Sequence, residues 1–307
     1  WKSLVLRDRP RREMSAVIIR CCIAVLLSTL LAVRGFRRRS LTRGGAIAAF
    51  FVGLISFGAS VRLGLTLIIF YLTSTRLTRL GATRKRKLDA TTGEHDGGHR
   101  NAVQVCANGG VGTLLAAAYA WHFWSMPSEL PLDSALHPVG TWLQTGYLCH
   151  YACVNADTWA SEVGILSKTV PRLITTLRKV PPGTNGGVSA MGTLASALGG
   201  GLIGVTYWVL GLMLLVPDAS IPPQWPLVPL GFLAGLVGSF IDSLLGATVQ
   251  FSGFDNKSKL AVSKPGGAMV KHTSGMNLLS NDQVNFCSSI FTVFVGTSIC
   301  ARLKLFG

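Results

Sequence analysis

Acidic side chains are scarce in this chain: 13 Asp and Glu stand against 29 Lys and Arg in 307 residues, and charged residues make up only 14%. A soluble domain carries about 25% charged residues, so the composition excludes an ordinary water-soluble fold. The glycine loops of soluble nucleotide-binding folds are also missing. No G-x-x-x-x-G-K-[ST] and no G-x-G-x-x-G-x-V occurs, so a nucleotide, if used, is held by something other than those folds. The absence of G-x-S-x-G and H-E-x-x-H removes the serine hydrolase and zinc peptidase readings. The 7 cysteines include no C-x-x-C pair and lie almost entirely in apolar runs, so they read as small buried hydrophobes. The basic charge sits in short loops without a nucleic-acid module, so nucleic acid is not an expected partner.

What is present is apolar: 49% hydrophobic residues and a mean hydropathy of +0.44. Eight windows approach the roughly 20 apolar residues of a spanning helix: about 14–33, 44–60, 61–78, 101–124, 139–163, 187–216, 227–249 and 283–301. The expected fold class is therefore an all-α polytopic integral membrane protein of about eight transmembrane helices. Only Ser60, Val61 and Arg62 separate the second and third windows, which predicts a tight helical hairpin. Glycines cluster at Gly44–Gly53, Gly186–Gly204 and Gly231–Gly246, at spacings that let helix backbones approach closely. Residues 1–33 form a basic amino-terminal segment, in which an apolar run follows a cationic stretch as in a signal anchor or organelle-targeting segment. Residues 34–307 read as a single transmembrane catalytic domain.

Loop charge predicts an orientation from the third window onward. The 76–100, 167–186 and 250–282 loops are basic, while 125–138 and 217–226 contain no Lys or Arg, and the alternation places the basic loops on the cytoplasmic side. The net charge of +16 also suits anionic lipid head groups and anionic substrates.

Polar side chains inside the apolar runs are rare and ordered. Asn101, Gln104 and Asn108 share a helical face, as do Asn155, Thr158 and Glu162. Asp157 points about 140° away from Glu162 on an ideal helix. Ser239, Asp242, Ser243, Gly246 and Gln250 make a third stripe, and Asp282, Asn285 and Ser289 a fourth. All four gather toward one side of the membrane, as a cytosol-facing polar site would. Ionisable groups at membrane depth are costly and functional by default.

The residue types suggest phosphate chemistry. Asp157, Glu162, Asp242 and Asp282 are hard oxygen ligands suited to Mg2+. Lys168, Arg172, Arg178 and Lys179, with Lys264 and Lys271, are cations for phosphoryl oxygens. Gly183-Thr184-Asn185-Gly186-Gly187 leads into a helix whose free N–H groups favour an anion, although Thr184 or Asn185 serves equally as its N-cap. His95 and His99 sit four apart in a glycine-rich loop unsuited to a helix, so they read as a poor metal pair. Asp89 and Asp96 read as solvated loop charges, and His122, His137 and His150 as structural.

Six ordered blocks carry a family resemblance. Arg100-Asn101-x-Val103-Gln104-Val105, Asp157-Thr158-Trp159-Ala160-Ser161-Glu162-Val163-Gly164, Pro171-Arg172-Leu173-Ile174-Thr175-Thr176 and Val180-Pro181-Pro182-Gly183-Thr184-Asn185-Gly186-Gly187 resemble the transmembrane protein nineteen family. Asp242-Ser243-x-Leu245-Gly246-Ala247 and Asn281-Asp282-x-Val284-Asn285 do so too. The same superfamily includes the plant phytyl-phosphate kinases, whose Asp–Thr, Thr–Thr–Lys and Asn–Asp blocks match Asp157, Thr158, Ser161, Glu162, Thr175, Thr176, Lys179, Gly183, Thr184, Gly186, Asn281, Asp282 and Asn285. The plant enzymes carry Glu where Asp242 stands and lack the Arg100-Asn101 pattern.

The resemblance implies a Mg2+-dependent phosphotransferase that converts a phytyl- or geranylgeranyl-like isoprenyl monophosphate to the diphosphate. The donor would be a nucleoside triphosphate, CTP or another. Asp157, Glu162, Lys179 and Arg172 would be catalytic. Arg100, Asn101, Gln104, Asn108, Lys168, Thr175, Thr176, Gly183 to Gly187, Asn281 and Asn285 would hold substrate or phosphate. The expected location is the endoplasmic reticulum or another endomembrane, or the plastid envelope, with the site facing the cytosol. Two other readings use the same residues: lipid-phosphate nucleotidyl transfer, and transport or scrambling of a lipid phosphate.

Overall fold

The computed structural model describes residues 2–88, 99–123, 129–266 and 269–307, with the backbone alone in 2–16 and 81–88. His95, Asp89 and Asp96 lie outside the described residues. Eight helices follow one another: α1 (Lys2–Arg37), α2 (Arg43–Ala59), α3 (Val61–Leu88), α4 (Ala102–His122), α5 (Pro138–Gly164), α6 (Ala190–Leu214), α7 (Leu227–Thr248) and α8 (Asn281–Leu303). Five short strands interrupt them: β1 (Arg172–Leu173), β2 (Gly187–Val188), β3 (Ser252–Asp255), β4 (Leu260–Val262) and β5 (Val270–Ser274).

The helix ends follow from local chemistry. Thr42 caps α2 by accepting the Gly45 N–H at 3.1 Å, and Pro138 occupies the first turn of α5. Ser280 and Gln283 form a capping box at the start of α8. Extended backbone at Ser60 breaks the chain between α2 and α3, giving the tight hairpin expected there.

α5 is the central element, packing against α3, α4, α6, α7 and α8. Its residues 143–156 are buried on every side, so its polar groups meet protein rather than lipid. Glycine makes the tightest crossing. A Cβ on Gly200 of α6 would lie 2.4 Å from the Gly231 carbonyl and 2.6 Å from the Gly235 Cα of α7. Gly53 of α2 similarly sits against Ser28 of α1, so α1 packs along the bundle.

Among the described residues, four helical segments are long and apolar enough to cross a membrane: Val17–Arg37, Ala190–Leu214, Leu227–Thr248 and Asn281–Leu303. The other helices are shorter or more polar, and α5 owes its polarity to its central position.

Two expectations about loops are corrected. α3 runs on to Leu88, so Arg76 and Arg79 are helical and the 76–100 loop begins later. The 250–282 connection is a folded three-stranded antiparallel sheet with strand order β4-β3-β5, β3 in the centre. Sequence windows tuned to spanning helices pass over strands this short.

Candidate functional site

The amino ends of α4 and α8 meet the carboxyl ends of α5 and α7 at one end of the bundle. That junction gathers the polar stripes. The Asp157 carboxyl of α5 lies close to that of Asp242 on α7. Asp242 Oδ2 also accepts from Ser288 Oγ of α8 at 3.1 Å. The Asn285 amide lies 3.2 Å from the same oxygen and, with its nitrogen turned that way, donates to it. The other end of this amide lies 3.3 Å from Asn108 Oδ1 of α4. Four helices thus converge on one carboxylate pair.

Asn155 and Glu162 do other work. Asn155 is fully buried; its Oδ1 accepts from Thr73 and Ser74 at 3.2 and 3.1 Å, and its Nδ2 donates to the Gly199 carbonyl at 2.8 Å. It ties α3, α5 and α6 together. Glu162 is buried and interacts electrostatically with Arg100, on another side of the helix from Asp157, as the helical angle predicts.

Arg100 is fixed through its backbone. Its N–H donates to Ser40 O at 3.0 Å and its carbonyl accepts from Thr42 N at 3.1 Å, pairing it with the turn between α1 and α2. Its guanidinium donates to Thr75 Oγ1 at 3.2 Å. Burial weakens its hold on its proton, while Tyr71 and Glu162 act in the opposite direction. Arg100 stands at one end of a cavity of about 90 Å3 between α1, α2, α3 and α4. Gln104 lines it one turn along α4, Asn108 lies deeper beside Gly109, and Thr158 enters from α5.

Several expected ligands have structural employment. Asn101 and Gln104 cap α4 reciprocally: Asn101 Oδ1 accepts the Gln104 N–H at 2.9 Å and Gln104 Oε1 accepts the Asn101 N–H at 3.0 Å. The Gly183–Gly187 loop is a correction. α6 begins at Ala190 with Ser189 as its N-cap, so neither Thr184 nor Asn185 caps it and its free N–H groups lie beyond the glycines. Asn185 instead donates its N–H to Ser252 Oγ at 2.8 Å and its Nδ2 to Phe251 O at 2.9 Å. Gly187 N–H is taken by Thr184 O, and Thr184 Oγ1 donates to Pro181 O. Gly186, at φ +73°, leaves room for Ala247 and the Ser243 carbonyl of α7, where any Cβ would collide. The loop is a packed strap over the end of α7, one turn from Asp242.

The cations of that strap are exposed. Arg172 and Lys179 pair across a hairpin with Thr175 and Thr176 near its tip, and the Arg172 guanidinium donates to Leu177 O at 2.8 Å. Lys168, Arg178, Lys264 and Lys271 are exposed too. Asp282 lies in the first turn of α8, one turn before Asn285, and Asn281 precedes it at the exposed helix start.

The four-carboxylate metal set is also corrected: Asp157 and Asp242 come together, while Glu162 faces Arg100. Among the described residues, no group of three or more His, Cys, Asp or Glu is placed to hold a metal. The donor set at the pair is nevertheless oxygen, two carboxylates with the Ser288 hydroxyl beside them. Mg2+ is commonly held by one or two carboxylates plus substrate phosphates, so these residues fit it. Ser288 was missed in the sequence, although Asn281, Asn285, Ser288 and Thr292 repeat at i, i+4, i+7 and i+11 on one helical face.

Eight helices around a polar, carboxylate-bearing junction define a multi-pass α-helical membrane protein with an interior site. The chain belongs to the family described as integral membrane protein DUF92, which it matches over residues 26–293. It is 44% identical to Protein PGR of Arabidopsis thaliana over 284 residues, 92% of this chain and 96% of that protein. An uncharacterized membrane protein of Methanocaldococcus jannaschii is 30% identical over 242 residues, 78% of this chain and 87% of that one. Protein VTE6, chloroplastic, of Arabidopsis thaliana is 25% identical over 238 residues, covering 77% of this chain and 62% of VTE6. No solved structure matches the chain significantly.

Proposed function

We propose that the protein is a membrane-embedded phosphotransferase that converts an isoprenyl monophosphate to its diphosphate with a nucleoside triphosphate. The observation that carries this reading is the Asp157–Asp242 pair, at the same end of the bundle as Arg100 and its cavity. The blocks shared with the plant phytyl-phosphate kinases support it from the sequence.

Asp157 and Asp242 would hold Mg2+, which when bound would screen the donor's β- and γ-phosphates. Ser288 and Asn285 orient the Asp242 carboxylate. Arg100 anchors the acceptor phosphate. The exposed Arg172–Lys179 hairpin offers cations to the donor. An acceptor phosphate oxygen forms the new bond to the γ-phosphorus as the β–γ bridging bond breaks and the nucleoside diphosphate leaves. A monophosphate is already a nucleophile, so the mechanism needs no strong general base. By the positive-inside rule the basic strap would face the cytosol at an endomembrane, or the corresponding face of a plastid envelope.

The test is product formation by the full chain in nanodiscs with Mg2+, mixed nucleoside triphosphates and a panel of isoprenyl monophosphates, read by mass spectrometry. An isoprenyl diphosphate, absent in Asp157→Asn, is the expected result. A lipid carrying the nucleotide would instead establish nucleotidyl transfer. No product from any donor with verified folded protein would end both readings.

A further inference from the structure

The cavity between α1, α2, α3 and α4 is chemically two-ended. Its walls are Ala32, Ala49, Val52, Leu67 and Phe70, while Arg100 is the one cation among the residues lining it. Gln104 stands one turn along α4 from Arg100, Thr158 enters from α5, and Asn108 lies deeper, beside Gly109. On α4 the lining reaches Gly109, nine residues beyond Arg100, or about 13 Å at ~1.5 Å per residue. That is a little under half of a hydrocarbon core about 30 Å thick. An apolar cleft with a few convergent polar groups at one end is what an amphiphile requires.

We infer that this cavity is the tail-binding site for a single-chain lipid phosphate of isoprenyl type, with the head group on Arg100. The inference deepens the phosphotransferase reading and rests on it for the nature of the head group. Two links join the tail site to the carboxylate pair. Thr158, which lines the cavity, is the neighbour of Asp157 in the chain. Asn108, also in the lining, meets the Asn285 amide, whose other end meets Asp242. The polar lining thus runs from Arg100 towards the pair, and the chain descends along α2 and α3. Ala49 and Ala32 matter most because they are the smallest side chains on opposite walls, and enlarging either removes the space.

The test needs no turnover. The full chain in nanodiscs is irradiated with a diazirine-tagged geranylgeranyl monophosphate, and the labelled peptides are mapped. Labelling is expected within Ala49–Gly53 and Val105–Gly109, suppressed at least tenfold by untagged geranylgeranyl monophosphate and little affected by dioleoyl phosphatidic acid. Ala49→Phe should lose the labelling, and Ala32→Leu, from the other wall, repeats the test should the first variant fold poorly. Leu212→Phe, on the exposed face of α6, should label normally. Labelling spread over outward-facing residues, or equal competition by phosphatidic acid, overturns the inference, since the cleft is then a general lipid crevice. Labelling as expected with no diphosphate from any donor sinks the kinase reading and leaves the tail site standing. Diphosphate formed equally well by both cavity variants, with labelling unchanged, does the reverse.

Discussion

Asp157 on α5 and Asp242 on α7 bring their carboxyl groups close together across the helix interface. Two acids placed side by side within a bundle concentrate negative charge that a divalent cation would neutralise. Asp157→Asn and Asp242→Asn should each lower diphosphate formation at least about a hundredfold, more than loss of a supporting ligand costs. Both should still melt cooperatively, since Asn keeps the shape. Wild-type protein should show a Mg2+-dependent rise in melting temperature that both variants lack. An equal rise in all three would remove the pair from the metal site.

Asn285 joins α4 to Asp242, and Ser288 donates to the same carboxylate. These are positioning residues, so their loss should be graded. Asn285→Ala and Ser288→Ala should each reduce kcat by about 10- to 100-fold, the range for groups that orient a metal ligand. The Mg2+ concentration for half-maximal activity should rise in parallel. A fall in kcat at unchanged Mg2+ dependence would mean that they act on substrate instead.

Most of the helical frame was legible. The windows 44–60, 227–249 and 283–301 fall within two residues of α2, α7 and α8, because hydrophobic run length reports the bilayer directly. The convergence of Asp157, Asp242 and Asn285 was legible as a shared side of the membrane, though not as a contact, since rotation of each helix is set by packing. The role of Asn185 was not legible: its partners Phe251 and Ser252 lie some 66 residues away at a sheet that hydropathy does not register. Asn101 and Gln104 were legible in spacing but not in their capping role, because a capping box and a ligand stripe share the i, i+3 pattern.

Glycine contacts separate packing from tolerance. Gly200→Ala drives its Cβ into the α7 backbone at Gly231 and Gly235, and overpacking of this kind costs about 1–3 kcal/mol. Gly58→Ala, where nothing lies within 4 Å, should be neutral or stabilising by up to about 1 kcal/mol through helix propensity. Thermal melts in detergent compare the two, and equal melting temperatures would contradict the α6–α7 crossing.

Glu129 supplies a pH-dependent term at the start of α3. Its carboxylate accepts the Val61 N–H at 2.7 Å and the Ser60 hydroxyl at 2.8 Å. Burial nevertheless raises its pKa above the ordinary carboxyl value, outweighing Ser60, Val61 and Arg62, which pull it down. A raised folded pKa means that this contribution is fully present below the unfolded value, about 4.3, and is lost as pH rises through the folded one. Glu129→Gln should therefore flatten the decline in melting temperature between about pH 4 and neutrality. Glu129→Ala should melt lower throughout, by roughly 0.5–2 kcal/mol for a lost cap. A steeper decline in the Gln variant would reverse the sign assigned here.

The strap over α7 yields the sharpest separation of structure from ligand binding. Asn185 is held by Ser252 and Phe251, whereas Lys179 points from an exposed hairpin. Asn185→Ala deletes the bond to the Phe251 carbonyl and leaves that acceptor to find another donor, a loss of about 1 kcal/mol. Its melting temperature should fall, while KM for the nucleotide, measured on the surviving folded fraction, stays within about twofold. Lys179→Ala should behave oppositely: an exposed lysine contributes little to stability, but losing a cation that meets phosphate should raise nucleotide KM about tenfold or more, the size of one charged hydrogen bond. Lys179→Arg should keep most of the wild-type affinity, since charge is what the donor phosphates read. If Asn185→Ala instead raises KM with its melting unchanged, the Gly183–Gly187 segment is a phosphate loop rather than a structural strap.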